Sequence, residues 1–391
     1  MNTETVKGFK DYIGEEAEKR LSIQKILIEI FEDYGFEYAE TPIIEQEEFV
    51  RGENPNDEAV SDIFKLKDKG ERNLALRYEF TFQLKRIMNN KKLPYKRFQI
   101  GPVFRDEPTS TNRFRQFTQC DVDIVGSSTK EEAEILAIVQ RVMKALNIKF
   151  VIYVNNRKLL NEILNNAGIK NENFESVIKI IDKLDKKTEK EIKDELKNFK
   201  AEKVLEIFKQ KEKYFEKYQA YSEIKELKDF CKLYDVKFEF QPSLARGLSY
   251  YNGNIFEVKT KEVKETINGG GSYMFNGVQC TGISFGLDRI MQLAKLKEQK
   301  DKVLLISIGQ DKKTLELAEK IRDNKIICSV MFGKISKALD YANSYNFNKV
   351  VFIGEEEVKK KKFKIKDMKS GKEKFLSEKD IIKILERANQ N

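Results

Sequence analysis

The sequence predicts an α+β protein with an antiparallel sheet, a helical insertion in the middle of the chain and a C-terminal α/β domain. Three observations support this prediction. Polar residues recur at every second position of three strand-like segments, residues 169–245 contain no glycine, and strand and helix patterns alternate after residue 301. A chain of 391 residues is also too long for one ordinary core and predicts roughly two or three domains.

The N-terminal region begins with a helical pattern. Apolar residues in 15–34 recur at spacings of three and four, which predicts an amphipathic helix, and Gly35 suits its C-terminal cap. The next segment, FEYAETPIIE, is typical of a strand in which Pro42 favours an edge or interface position. Farther along, Thr129 and Glu132 have the spacing of a capping box, which predicts that another helix begins there.

The central and C-terminal regions differ in composition. Residues 169–230 are rich in Lys and Glu and are helical by composition, whereas glycines return densely between Gly247 and Gly286. After a charged linker, KVLLISIG, IICSVM and KVVFIG predict apolar strands, with helices near 311–323 and 335–345. The predicted domains are one formed by residues 1–168 and 231–300, a helical insertion at 169–230, and an α/β domain at 301–391.

Composition limits the possible functions. The net charge of +9 favours a polyanionic partner, although a general preference for lysine explains it equally well. The absence of histidine excludes His-based triads, His metal sites and a His general base. The scattered cysteines lack CxxC spacing, so we expect neither structural zinc nor a disulfide framework. A polar N-terminus and the lack of long apolar runs predict a soluble, cytoplasmic protein without membrane contact.

Three strand-like segments carry polar residues on one face, where a buried sheet would be apolar. One such strand is more simply the solvated face of an antiparallel sheet, but three together fit a floor that binds a polar small molecule. Tyr251 is expected on the opposite face of its strand unless a bulge intervenes. The polar faces consist of Arg77, Glu79 and Thr81 in LRYEFT, Phe117, Gln119, Asp121 and Asp123 in QFTQCDVDIVG, and Arg246 and Tyr250 in LARGLSYYNGNIFEV.

Arginines between and after these strands suit phosphate groups. The loop FRDEPTSTNRFRQF holds Arg105, Arg113 and Arg115, and guanidinium groups bind triphosphate oxygens bidentately. The same loop would equally suit a tRNA backbone. SFGLDRI puts Arg289 in the first turn of a predicted helix, where an anion is favoured. The chain lacks GxxxxGK[ST] and the GxGxxG spacing, which argues against a P-loop or Rossmann nucleotide site.

Together these motifs resemble a known family. PVFRDE followed by RFRQFTQCDVDIVG resembles motif 2 of class II aminoacyl-tRNA synthetases, TGISFGLDRI resembles motif 3, and YGFEYAETPIIE resembles motif 1. LARGLSYYNG and LRYEFT are similar to substrate-binding segments of histidyl-tRNA synthetases, and the C-terminal segment is similar to their anticodon-binding domain. The resemblance implies a homodimer that activates L-histidine with ATP and Mg²⁺ and passes it to tRNA on a class II catalytic domain.

The resemblance also implies a histidine-binding site. Asp123 and Tyr251 would read the imidazole, and Glu79, Thr81 and Gln119 would hold the α-ammonium group. The implied histidine-binding residues are Glu79, Phe80, Thr81, Arg105, Gln119, Asp123, Arg246, Tyr250 and Tyr251.

An ATP-binding site is implied in the same way. Arg105 would grip the α-phosphate and the histidine carboxylate, and Arg246 would stabilise charge where other class II enzymes hold a metal, so these two are the implied catalytic residues. Glu107 and Phe117 would contact adenine. The implied ATP-binding residues are Arg105, Glu107, Arg113, Phe117 and Arg289, with Arg113 and Arg289 at the outer phosphates.

Three positions depart from the family pattern. Ser249 stands where the family usually has Asp, and Ser272 and Met274 replace the Arg and Asp of GGGRYD. These changes concern the support of the pocket wall rather than the groups that touch substrate. The main alternative function is the non-catalytic regulatory subunit of ATP phosphoribosyltransferase, which reuses the same fold. The retained arginines and the C-terminal domain favour the synthetase.

Overall fold

The chain divides into two compact units, Met1–Leu296 and Lys297–Asn391. Within the described residues, no helix is long and apolar enough to cross a membrane. The structure is a computed structural model, and it describes residues 2–52, 61–110, 113–185, 187–245, 250–263, 266–296 and 301–390.

The strands of the first unit form an eight-stranded sheet and a small three-stranded sheet. In chain order they are β1 (Glu37–Tyr38), β2 (Ile44–Gln46), β3 (Lys65–Lys67), β4 (Asn73–Leu76), β5 (Tyr95–Phe104), β6 (Gln116–Val125), β7 (Val151–Asn156), β8 (Glu239–Phe240), β9 (Tyr251–Lys259), β10 (Asn268–Phe275) and β11 (Val278–Gly286).

The large sheet has the order β1-β5-β6-β11-β10-β9-β7-β8. All neighbours from β5 to β7 in this order pair antiparallel, and the short edge strands β1 and β8 pair in parallel. The predicted antiparallel sheet is therefore confirmed. The strands β2, β4 and β3 form the separate antiparallel sheet.

Helices surround this sheet in the first unit. The α-helices are α1 (Gly14–Asp33), α2 (Glu47–Arg51), α3 (Thr81–Ile87), α4 (Thr129–Ala145), α5 (Arg157–Asn166), α6 (Phe174–Ile181), α7 (Glu189–Lys197), α8 (Glu202–Phe208), α9 (Tyr221–Leu233) and α10 (Leu287–Leu293), and the 3₁₀ helices are Asn171–Asn173, Asp182–Asp185 and Glu212–Lys217.

The two faces of β6 explain where the core and the site lie. Val122 packs in one apolar core with Leu27 of α1 and Leu136 of α4. Asp121 and Asp123 are the neighbours of Val122 along the strand, so their side chains face the other side of the sheet. Both acidic residues are nonetheless buried, which means that other side chains cover the polar face.

Two of the expected strands do not form as predicted. FEYAETPIIE is not one strand, because β1 and β2 belong to different sheets and Pro42, which lacks an N–H, lies between them. LRYEFT is a strand only up to Leu76, and α3 begins at Thr81. Glu79 accepts a hydrogen bond of 2.5 Å from the backbone N–H of Phe82, which satisfies one of the free donors in the first turn of α3.

The helix predictions are confirmed with one shift in register. The first helix is α1, and Gly35 beyond it has a φ of +76°, as a C-terminal cap requires. The capping box at the start of α4 consists of Ser128 and Glu131 rather than Thr129 and Glu132. Residues 171–233 are largely helical, as their composition indicated.

The second unit contains a five-stranded sheet of order β13-β12-β14-β15-β16. The strand β12 pairs in parallel with β13 and β14, and β15 pairs antiparallel with β14 and β16. The three predicted strands and two predicted helices are confirmed, whereas β15, β16, α13 and α14 were not predicted. The elements are β12 (Lys302–Ser307), α11 (Asp311–Asp323), β13 (Ile327–Phe332), α12 (Ile335–Ser344), β14 (Lys349–Ile353), α13 (Glu355–Lys360), β15 (Phe363–Asp367), β16 (Glu373–Leu376) and α14 (Glu378–Gln390).

Candidate functional site

Two adjoining cavities lie on the polar face of the large sheet. The small cavity, of about 70 Å³, is lined mainly by polar side chains from β6, β9, β10 and β11 and from the segment that leads into α3. The large cleft, of about 170 Å³, lies between the loop that precedes β6 and the start of α10. Arg105, Gln119, Gly269 and Ser284 line both, so the two cavities meet at these residues.

Most of the residues implied for histidine binding line the small cavity. Phe80 does not line this cavity. Its ring is fully buried, and its carbonyl oxygen accepts a hydrogen bond of 3.0 Å from Arg97. Arg246 and Ser249 lie outside the described residues. The implied residues that line the small cavity are Glu79, Thr81, Arg105, Gln119, Asp123, Tyr250 and Tyr251.

The carboxylate of Asp123 is held in one orientation at the floor of the small cavity. The hydroxyl of Tyr273 donates to its Oδ1, and Nη2 of Arg97 lies 2.9 Å from its Oδ2. Gly282 is the residue opposite on β11, where a Cβ atom would lie 2.1 Å from Oδ1 of Asp123. Burial raises the pKa of Asp123, and the buried guanidinium of Arg97 opposes that rise. Asp123 is therefore a preorganised hydrogen-bond acceptor.

Glu79 and Gln119 occupy another part of the small cavity. Burial raises the pKa of Glu79, and hydrogen bonds from Thr81 and from the backbone of Phe82 counteract this effect. Nε2 of Gln119 donates to the hydroxyl of Ser284 at 2.8 Å, which leaves its amide oxygen without a partner among the described residues. A carboxylate, a hydroxyl and an amide oxygen on one cavity suit a ligand ammonium group.

Tyr250 and Tyr251 both line the small cavity, although they are neighbours in sequence. Tyr251 begins β9, and the pairing of β9 with β10 shifts register between Gly271, opposite Ile255, and Tyr273, opposite Tyr251. The shift is by two residues and leaves Tyr251 on the same face as Ile255, whereas Tyr250 precedes the strand, so strand alternation does not separate the two tyrosines. The two rings have centroids 4.8 Å apart. Burial raises the pKa of Tyr250 far above its ordinary value, so its hydroxyl keeps its proton.

Arg105 stands where the two cavities meet. Its guanidinium lies over the ring of Tyr78, at 4.3 Å from the centroid, and near the ring of Phe117, at 5.1 Å. Stacking on two rings holds a guanidinium group in place without neutralising its charge. Arg105 is thus able to contact ligands in both cavities with one side chain.

The remaining residues implied for ATP also line the large cleft. Arg113 forms an ion pair with Glu107, and Arg289 donates to the backbone oxygen of Thr266 at 2.5 Å. Asp288, which also lines this cleft, accepts hydrogen bonds from the side chains of Tyr12 and Arg20. The implied ATP-binding residues that line the cleft are Arg105, Glu107, Arg113, Phe117 and Arg289.

Sequence reasoning missed several residues of the small cavity or its support. Asp121 lines the cavity, is 4% exposed, and burial together with the charge of Asp123 raises its pKa to about 8. Its position on the polar face of β6 was visible, but no role was assigned to it. Arg97, Tyr273 and Ser284 had no signal of this kind, because their importance depends on which strands become neighbours.

Two departures from the family pattern have different structural consequences. Ser272 is buried and its hydroxyl donates to Glu132, which also accepts from Asn254 at 2.6 Å. Burial raises the pKa of Glu132 to about 7. Met274 is 50% exposed and does not line the small cavity. Ser272 therefore takes part in the support of β10, whereas Met274 does not affect the cavity.

Adjoining polar cavities on one face of an antiparallel sheet give this protein the architecture of a class II aminoacyl-tRNA synthetase. A family profile described as histidyl-tRNA synthetase matches residues 8–290, and one described as anticodon binding domain matches residues 302–388. The chain belongs to the histidyl-tRNA synthetase family.

Individual relatives agree with this assignment. A histidine–tRNA ligase 1 of Bacillus cereus is 34% identical, with 95% of this chain and 97% of the relative covered. A histidine–tRNA ligase of Helicobacter pylori is 31% identical, with 95% of each chain covered. The crystal structure of histidyl-tRNA synthetase from Nostoc sp. PCC 7120 has a TM-score of 0.87 at 25% identity and covers 99% of both chains.

Proposed function

We propose that this protein is an ATP-dependent histidine–tRNA ligase, which forms histidyl-adenylate and then transfers histidine to tRNA. The observation that carries the proposal is the junction at Arg105. On one side of it lies a buried cavity with a fixed carboxylate, and on the other lies a cleft with two further arginines, Arg113 and Arg289. An enzyme that joins an amino acid to a nucleotide needs both sites in contact.

The small cavity binds histidine in this proposal. Asp123 accepts an N–H of the imidazole ring, and the hydroxyl of Tyr251 donates to the other ring nitrogen. Glu79, Thr81 and Gln119 hold the α-ammonium group. The α-carboxylate then points toward Arg105, at the junction with the large cleft.

Activation takes place at this junction. An oxygen of the histidine carboxylate attacks the α-phosphorus of ATP, a new O–P bond forms, and pyrophosphate leaves with the electrons of the broken bond. Arg105 balances the charge that builds up on the α-phosphate, since it is preorganised by Tyr78 and Phe117. Arg113 and Arg289 hold the outer phosphates. Arg246 is assigned a further share of this charge stabilisation from the family resemblance alone.

Mg²⁺ is proposed to enter with ATP. The carboxylates that line the large cleft are already paired, Glu107 with Arg113 and Asp288 with Arg20. No cluster of three or more acidic or cysteine side chains that could hold a metal occurs in the described part of the chain. This donor set fits an ion held mainly by phosphate oxygens and water, which is how proteins usually bind Mg²⁺ with nucleotides. The ion supplies charge neutralisation of the triphosphate.

The second unit is proposed to bind the anticodon arm of tRNA, since residues 302–388 match an anticodon-binding family. We also propose a homodimer through the motif 1 region and a cytoplasmic location. Support for the dimer comes from apolar side chains near β1 and β2, where Tyr38, Ile43 and Ile44 are each more than 40% exposed.

The alternative of a regulatory subunit is less supported, although a Bacillus halodurans structure described as ATP phosphoribosyltransferase regulatory subunit/histidyl-tRNA synthetase shares the fold with a TM-score of 0.76.

Amino-acid-dependent ATP–pyrophosphate exchange, measured across all amino acids, tests the proposal. Histidine alone should support exchange, and the purified protein should then charge tRNA with histidine. A chain that ends at Lys300 should still exchange pyrophosphate but charge tRNA poorly. Exchange with a different amino acid, or none with histidine, would refute the assignment.

A further inference from the structure

Residues 6–12, which precede α1 and which we call the N-terminal clasp, contact both chain segments that carry the arginines of the large cleft. The carbonyl oxygen of Gly8 accepts the backbone N–H groups of Arg115 at 2.8 Å and Gln116 at 3.3 Å. The hydroxyl of Tyr12 donates to Oδ1 of Asp288 at 2.6 Å. One short segment therefore binds the end of the loop before β6 and the first turn of α10.

The contact at Gly8 reaches the cleft through Arg115. Gly8 has a φ of +88°, and a Cβ atom at this position would lie 2.8 Å from Cγ of Arg115. Nε of Arg115 donates to the carbonyl oxygen of Glu107 at 3.2 Å, and its guanidinium lies 3.1 Å from Asp106. Because Glu107 lines the cleft, the close packing of Arg115 on Gly8 fixes one wall of it.

The contact at Tyr12 reaches the cleft through Asp288. This carboxylate accepts hydrogen bonds from Tyr12, from the guanidinium of Arg20, and from the backbone N–H of Thr118 at 2.9 Å. Arg20 also donates to the hydroxyl of Thr118 at 2.8 Å and lies over the ring of Tyr12, at 3.8 Å. Asp288 directly precedes Arg289, so the same bonds fix the backbone from which Arg289 extends.

Tyr12 is held as a hydrogen-bond donor by its surroundings. Burial, followed by the hydrogen bond to Asp288, raises the pKa of Tyr12 well above its ordinary value. Its hydroxyl therefore keeps its proton and donates a hydrogen bond to the carboxylate of Asp288. Neither Gly8 nor Tyr12 lines the cleft, so any effect they have on a nucleotide passes through other residues.

We propose that the N-terminal clasp is a positioning element for ATP–Mg²⁺. It holds the segments of Arg113 and Arg289 at the spacing that the triphosphate requires, and it has no part in binding histidine. The inference rests on the proposed function for the identity of the nucleotide. The proposal predicts that removing the hydroxyl of Tyr12 weakens the binding of ATP–Mg²⁺ and leaves the binding of histidine unchanged.

The test compares Tyr12→Phe with Tyr234→Phe in the full-length protein. Each variant loses one hydroxyl, and Tyr234 is a partly exposed residue beyond the end of α9, outside both cavities. The dissociation constants of ATP–Mg²⁺ without histidine and of histidine without ATP are measured by calorimetry, together with Tm. Tyr12→Phe should raise the constant for ATP–Mg²⁺ roughly 3–10-fold, which is part of the contribution of a hydrogen bond to a charged group. The constant for histidine should not change.

A double-mutant cycle adds a second readout. If the hydroxyl acts through Asp288, the effects of Tyr12→Phe and Asp288→Asn on ATP–Mg²⁺ binding are not additive. A lowered Tm with unchanged ATP–Mg²⁺ binding would reduce the clasp to a structural element and overturn the proposal. Equal weakening of both ligands would overturn it as well. Failure of the wild-type protein to exchange pyrophosphate with histidine would instead count against the proposed function. The ATP–Mg²⁺ affinities of Tyr12→Phe and Tyr234→Phe would still test the role of the N-terminal clasp.

Discussion

The small cavity and the large cleft adjoin, but they are built in different ways. In the small cavity the ion pair of Arg97 and Asp123 comes from neighbouring strands, and the two side chains are 0% and 5% exposed. In the large cleft the ion pair of Arg113 and Glu107 comes from a loop, and the side chain of Arg113 is 57% exposed. In the proposed function, recognition of the amino acid is thus fixed by the sheet, whereas the nucleotide site depends on loops that other segments hold in place.

The largest expected effect concerns Arg105, the one charged side chain among the described residues that line both cavities. Arg105→Ala should lower histidine-dependent pyrophosphate exchange on the order of 10²–10³-fold, because one preorganised donor to a developing charge is lost. The exposed Arg113→Ala is the matched variant, and its effect should be roughly tenfold or less because solvent screens its charge. Equal losses in the two variants would contradict the difference between the stacked, partly buried Arg105 and the exposed Arg113.

A substitution in the sheet should affect histidine alone. In Gly282→Ala, the new Cβ would lie 2.1 Å from Oδ1 of Asp123 and 2.7 Å from the backbone oxygen of Val122, so the carboxylate and the adjoining backbone of β6 must both shift. A displacement of this size can cost roughly 100-fold, and we expect that increase in the KM for histidine in the exchange assay. The KM for ATP should not change. Gly70→Ala, in an exposed turn, is the control, and a similar rise in both KM values of Gly282→Ala would argue that the cavities are not separable.

The buried acid Asp121 gives the smallest effect, on stability. Burial, and then the charge of Asp123, raises its pKa from 3.8 to about 8, so the folded protein retains a proton that the unfolded chain releases. Stability therefore falls as pH rises from about 4 to about 8. Asp121→Asn removes this penalty and should raise the free energy of unfolding at pH 8 by at least about 1 kcal/mol, with a smaller gain at pH 5.

Chemical denaturation at the two pH values measures this difference. Asp229→Asn is the matched control, because Asp229 is exposed and its pKa is lowered by a hydrogen bond from Lys232. It should give no gain at pH 8. A loss of stability in Asp121→Asn at pH 8 would mean that Asp121 is ionised in the folded protein.

The same contrast explains what the sequence predicts and what it does not. The alternation along β6 was enough to predict Gln119 and Asp123 on one face, because strand geometry is local. LRYEFT showed the same alternation, yet its backbone turns into α3, and Glu79 and Thr81 reach the small cavity from a different geometry. The alternation in LRYEFT therefore pointed to two residues of the small cavity, Glu79 and Thr81, although this part of the segment is not a strand.

The amino-acid sequence alone did not indicate the contacts between segments that lie far apart along the chain. Tyr12 and Asp288 are 276 positions apart, and only the folded chain brings them together. The same holds for Arg97 and Tyr273, which support Asp123 from two other strands. The residues that line the cavities were therefore easier to predict than the residues that hold them in place.

In the proposed function the site reads a neutral imidazole ring, because the hydroxyl of Tyr251 can donate only to a ring nitrogen that carries no proton. The pH dependence of kcat/KM for histidine tests this most directly. The enzyme has no histidine of its own, so a titration near neutrality belongs to the substrate unless a carboxylate or ATP contributes. If Tyr251 donates to a ring nitrogen, kcat/KM at saturating ATP–Mg²⁺ should fall as pH drops below about 6.5. Tyr251→Phe should flatten that fall, and an analogue with a shifted ring pKa should move it. A profile that ignores the ring pKa of the analogue, or that rises toward acid pH, would contradict the account.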